Sequence, residues 1–128
     1  MPKISPTTVS AFLERFYQCA DGVVREVQVD FVTKSATVTL SCQDREREIR
    51  QPWINLVFDV QEVVELRLIE GESTCVVLSQ GLHVGFFDGL IYLDFCPYTA
   101  APAGVEDFKR SHFLVVGERC TWALEPAQ

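Results

Sequence analysis

The chain is poor in the parts from which active sites are assembled. It has two histidines, not placed as H-x-H or H-E-x-x-H, and it carries no G-x-S-x-G and no glycine-rich phosphate loop. Its five cysteines, at positions 19, 42, 75, 96 and 120, are odd in number, widely spaced and without a C-x-x-C pair. That spacing suits neither a zinc site nor a disulfide framework, and it predicts reduced, mostly buried thiols in a cytoplasmic protein without metal or cofactor. No segment stays apolar for the roughly 20 residues a spanning helix needs, and the opening "MPKISPTT" lacks the apolar centre of a secretory leader. Basic charge is scarce as well: 11 Lys and Arg stand against 18 Asp and Glu. The net charge of -7 argues against nucleic acid or an anionic membrane as partner.

What is present is material for a core. At 128 residues and 48% apolar, with nine Phe and two Trp, the chain makes a single domain over 1–128 without needing staples. The negative charge is concentrated. Between positions 59 and 94, Asp59, Glu62, Glu65, Glu70, Glu72, Asp88 and Asp94 face Arg67 alone, which leaves six of the seven net charges there. Such a region serves solubility first, and beyond that it would steer a basic protein partner.

"SPTTVSAFLERFYQCADG" reads as one amphipathic helix. Ser5 is its cap, Pro6 its first position and Gly22 its stop, and Val9, Phe12, Leu13, Phe16 and Tyr17 form its apolar stripe. The period then changes to two. Val27, Val29 and Phe31 alternate with polar residues, and past "TKSA" so do Val38, Leu40 and Cys42, which predicts a hairpin. "QDREREIR" reads as a solvated turn or charged edge. "WINLVFDV", "VVELRLIE" and "TCVVLSQ" are three more strand-like runs after Pro52. "APAGVEDFKRS" is a loop with a helical turn, and "HFLVVGERCTWALE" is one bent strand or two, interrupted at Gly117. The expectation is an α+β fold: an N-terminal helix packed on a curled, mainly antiparallel β-meander sheet of about eight strands. Connections this short hold no crossover helices.

The densest pattern is "GLHVGFFDGLIYLDFCPYT". Asp88-Gly89 signals a two-residue type I′ turn, which sets Phe87 opposite Leu90, Phe86 opposite Ile91, Gly85 opposite Tyr92, Val84 opposite Leu93 and His83 opposite Asp94. Leu82, Val84, Phe86, Ile91, Leu93 and Phe95 then belong to the core. His83, Gly85, Phe87, Leu90, Tyr92 and Asp94 occupy a second face, with Tyr92 covering the bare Gly85. The His83–Asp94 pair would suit a general-base dyad, but no nucleophile is fixed beside it, and a solvent-facing pair worth up to about 1 kcal/mol is the plainer reading. His112 reads as a strand-edge histidine. Cys96 has no basic neighbour to activate it, and Trp53 and Trp122 read as buried.

"DGLIYLDFCPYT", "VEDFKRSHFLVVGERCTWAL" and the rhythm of "LVFDVQEVVELRL" resemble small bacterial immunity-type proteins, the cognates of polymorphic or contact-delivered toxins. The resemblance covers the C-terminal half. It implies a non-enzymatic inhibitor that occludes a toxin's active site by surface complementarity, with a basic toxin domain as partner and a monomer or weak homodimer as its own state. The candidate partner-binding residues are His83, Phe87, Asp88, Tyr92 and Asp94 of the hairpin, with Glu62, Glu65, Glu70 and Glu72 of the acidic middle. Of these, Tyr92 and Phe87 are the expected anchors, because their face is not the core face. The "DREREIR" edge and the "PYTAAPAG" loop are second choices. Two other classes stay open: a small-molecule or enzymatic domain with a pocket near His83 and Asp94, and a structural module that self-associates through an exposed strand.

Overall fold

A computed structural model of the chain describes residues 2–47, 50, 52–69, 76–99 and 101–125. Glu70, Glu72 and Cys75 therefore lie outside the described residues. The elements in order are α1 (Val9–Arg15), a short 3-10 turn (Tyr17–Cys19), β1 (Val23–Asp30), β2 (Ser35–Gln43), β3 (Trp53–Leu68), β4 (His83–Phe87), β5 (Leu90–Asp94), α2 (Val105–Lys109) and β6 (Phe113–Glu125). Among the described residues the strands form one antiparallel sheet of six, in the order β1-β2-β3-β6-β5-β4, and the sheet is not closed.

Six strands replace the expected eight for two reasons. "WINLVFDV" and "VVELRLIE" are not separate: the apolar alternation runs through both, and β3 is a single strand of 16 residues. Of "TCVVLSQ", the described residues 76–80 form no strand and only run beside the start of β1, through the bridge of Val77 to Val23 and the hydrogen bonds of Val24 to Val76 and Leu78 to Gly22. The order also departs from a meander, because β6 inserts between β3 and β5. β3 bends where Glu62 takes φ +53, and its register on β6 shifts between Val63 and Glu65. Opposite Val63 lies Gly117, where a Cβ would stand 2.6 Å from Val60 Cγ1 and 2.8 Å from the Gln61 carbonyl oxygen. Only glycine lets β6 pass there, and β6 runs through it as one strand of 13 residues.

The main core lies on one face of the sheet. Val38, Leu40, Ile54, Leu56, Phe58, Leu93 and Val115 are buried in it, and α1 covers part of it through Phe12 and Phe16. The Phe12 ring stands 5.8 Å from Phe58 and 5.5 Å from Trp122, spacings typical of packed aromatics. The helix expected over 5–22 is only seven residues long. Residues 6–8 form a turn before it. Thr8 rather than Ser5 sits at its cap, with its hydroxyl donating to the Lys3 carbonyl. It stops because Tyr17, Gln18 and Cys19 all take φ between +54 and +58. That left-handed turn aims the Gln18 carbonyl at the Leu82 amide, 2.7 Å away, and so fixes the entry to β4.

"QDREREIR" is not wholly solvated. Asp44 is buried and takes Arg15 in a two-point contact, Nε to Oδ1 and Nη2 to Oδ2, both 3.0 Å. The Arg15 guanidinium lies over the Phe16 and Trp122 rings.

Candidate interaction surface

The β4–β5 hairpin has the expected register, residue for residue, and Asp88 and Gly89 take φ +53 and +78 as a type I′ turn requires. Its second face is not free, however. α2 folds back over it, and Tyr92, Phe108, Leu114 and Val116 form a second core with Phe87, Leu90 and Val105 packed on it. Three rings meet edge to face: Phe87–Tyr92 at 5.3 Å, Phe87–Phe108 at 5.7 Å and Tyr92–Phe108 at 5.9 Å. The atoms nearest a Cβ built on Gly85 belong to Phe87 and Phe108, so α2 fills the space that Tyr92 was expected to cover. Tyr92 is buried and cannot serve as a surface anchor; Phe87 is half-buried.

His83 stands opposite Asp94, but the two do not form a dyad. Asp94 is fully buried, and its Oδ1 accepts the Ser111 hydroxyl at 2.6 Å and the Cys96 amide at 3.0 Å. His83 Nε2 lies 3.1 Å from the Gln80 carbonyl instead. Burial, the largest influence, holds the Asp94 carboxyl above the ordinary value; Ser111, the Cys96 amide and the charge of His83 offset it only in part. The group joins the end of β5 to the start of β6. The solvent-facing pair and the general-base dyad are both replaced by a buried clamp.

The acidic middle is also divided up. Glu65 holds Lys109 at 2.9 Å and Arg67 at 3.3 Å, and Glu62 holds Arg119 at 3.4 Å. Asp59 accepts the Gln61 side chain at 2.7 Å, Asp94 is buried, and Asp88 sits exposed at the hairpin turn. Among the described residues these acids do not build a patch of one sign, because basic residues from β6 and α2, distant in sequence, return to meet them. Trp53 is exposed, and Trp122 is half-buried against α1. His112 is exposed and Cys96 half-buried. Among the described residues no group of three or more His, Cys, Asp or Glu could hold a metal, and no helix is long and apolar enough to cross a membrane.

The exposed apolar surface lies elsewhere. Period two placed Phe31 with the inward residues of β1, but β1 ends at Asp30, and the turn 31–34 carries Phe31 at 84% and Val32 at 93% exposure. The Asp30 carboxylate accepts the amides of Val32 (2.9 Å) and Thr33 (3.1 Å). These bonds, Thr33 foremost, hold its carboxyl below the ordinary range. Beside the turn runs the far half of β3, with Val64 62%, Leu66 37% and Leu68 48% exposed. Two open grooves separate it from β1: one of ≈ 290 Å³ between Phe31, Lys34 and Leu66, and one of ≈ 310 Å³ between Val27 and Leu68. Neither is lined by His83 or Asp94. The sequence held one sign of this surface, an aspartate followed three positions later by threonine at the strand end, which is a turn signal. Set against models of protein families, curated proteins and solved structures, the chain matches none.

Proposed function

We propose that this chain is a protein-binding module that works by occluding a partner, as the resemblance to immunity-type proteins implies, with the β1–β2 turn as the inserting element. One observation carries the reading: Phe31 and Val32 stand almost wholly in solvent on a turn that Asp30 holds in shape. An exposed aromatic on a preorganised turn loses little further freedom on binding and brings a large apolar area to a partner's cleft. The net charge of -7 would still steer a basic toxin domain from a distance, although contact affinity would come from the turn. Reduced Cys19, Cys42, Cys96 and Cys120 suit a cytoplasmic setting.

The enzymatic reading, with a pocket at His83 and Asp94, is disfavoured because the Asp94 carboxylate is wholly buried, its Oδ1 is held by Ser111 and the Cys96 amide, and neither groove reaches it. The test is genetic. The reading frame adjoining this gene is expressed alone and then together with this chain, and growth is measured. Arrest relieved by the wild-type chain but not by a folded Phe31→Ser, Val32→Ser variant supports the proposal. A harmless neighbour, or full protection by that variant, overturns it.

A further inference from the structure

β3 is paired unevenly. From Asn55 to Val60 it lies between β2 and β6, but past the bulge at Val64 it pairs from Glu65 to Leu68 with β6 alone, because its last partner in β2 is Ala36, opposite Val60. Two other stretches are covered. Residues 2–4 run along β6, with Ile4 donating to the Cys120 carbonyl at 2.9 Å, and Val77 bridges to the start of β1. The β3 edge at 64–68 has no such cover among the described residues.

The direction of its backbone follows from two hydrogen bonds. The Ile69 amide donates to the His112 carbonyl at 2.7 Å, and the Phe113 carbonyl, opposite Leu68, turns instead to the Phe95 amide at 2.9 Å. In an antiparallel ladder these directions alternate, so Leu66 and Leu68 aim their N–H and C=O groups outward. An apolar, outward-facing edge of this kind, with no proline or lysine in it, is a template for another strand.

We propose that this edge pairs antiparallel with the same edge of a second copy, about a two-fold axis at Leu66. In that register Leu66 faces Leu66 and Val64 faces Leu68 on one side of the ladder. On the other side Glu65 faces Arg67 twice, in the positions where cross-strand side chains approach most closely. A shift of two residues either way sets Glu65 against Glu65 or Arg67 against Arg67. A shift of one sets leucine against charge. "VELRL" is thus complementary to itself in one register, the requirement for a closed two-fold interface. Glu65 and Arg67 are both partly open to solvent, with Lys109 beside them, so the new pairs extend an existing network.

The test is the mass of the full chain in solution over a concentration series. The wild type is expected to be a dimer that dissociates on dilution. Glu65→Arg and Arg67→Glu, each alone, set like charges in register and weaken the dimer at least about tenfold. An equimolar mixture of the two variants sets two arginines against two glutamates and restores dimers, as heterodimers only. Leu66→Lys leaves Glu65 and Lys109 in place and serves if either reversal fails to fold; it should also give monomers. A wild type that stays monomeric at millimolar concentration overturns the proposal, as does a dimer indifferent to all three variants or a mixture that stays monomeric while both components are folded. An edge that binds some other protein would show as that monomeric wild type.

Discussion

The Ser111 hydroxyl donates to Asp94 Oδ1 at 2.6 Å, and both residues are fully buried. Ser111 Oγ also accepts the Phe113 amide at 3.0 Å, so one hydroxyl serves the carboxylate that ends β5 and the strand that begins β6. Ser111→Ala would strand the Phe113 amide and leave Asp94 Oδ1 with the Cys96 amide alone, and should cost about 1–3 kcal/mol by denaturant midpoint. His83→Ala, which removes only a half-exposed ring, should stay within about 1 kcal/mol of the wild type. Equal losses would mean that the carboxylate depends on His83 after all.

The two buried aspartates respond to pH in opposite senses. Asp94 is raised, chiefly by burial, so its folded value lies above the unfolded value of about 3.9. What it contributes is complete below about 3.9 and declines as pH rises through the raised value. Burial raises Asp44 too, but the Arg15 hydrogen bonds, the Glu46 amide and the charges of Arg15 and Arg47 outweigh it and leave the carboxyl lowered. Its contribution is complete above about 3.9 and is lost as pH falls through the lowered value. Denaturant midpoints against pH should therefore flatten on the rising side in Asp94→Asn and on the acid side in Asp44→Asn. Profiles parallel to the wild type would contradict this.

Two aromatic residues should behave in opposite ways. Tyr92 is buried against Phe87 and Phe108, so Tyr92→Ala should cost about 3–5 kcal/mol and report on stability rather than on a contact. Phe31→Ser, at the exposed turn, should change thermal stability by no more than about 0.5 kcal/mol while removing partner binding.

Alanine separates two glycines. At Gly89 nothing lies within 4 Å of an added Cβ, and the only cost is its φ of +78, about 1 kcal/mol. At Gly117 the Cβ meets the Gln61 carbonyl oxygen at 2.8 Å, backbone that cannot move aside, so Gly117→Ala should cost more than Gly89→Ala in the same unfolding assay.

Thiol labelling followed by peptide mapping should distinguish the described cysteines. Cys120 is pushed up to about 12 by burial, and Cys19 is raised by its contact with Cys42 and by burial. Half-buried Cys96 should label first, with Cys19, Cys42 and Cys120 labelling only on unfolding. Fast labelling of Cys19 in the native chain would contradict the packing beneath α1.

The sequence by itself determined what neighbours in the chain decide. Asp88-Gly89 set the β4–β5 register because a two-residue loop with positive φ leaves no choice, and period two placed the inward side chains of β2 and, in β1, that of Val27, whereas Val29 and Phe31 are exposed. Phe12 and Phe16 declared the buried side of α1, although nothing in "YQC" announced the left-handed turn that cuts the helix short. Tertiary structure alone decided the rest. α2 returns over Tyr92, Arg119 and Lys109 come back to Glu62 and Glu65, β6 slips between β3 and β5, and β3 outruns β2. Each of these joins residues dozens of positions apart, through burial and charge that no local period encodes. Which faces are covered and which edge stays open is therefore a property of strand order, and strand order is settled only when the whole core closes.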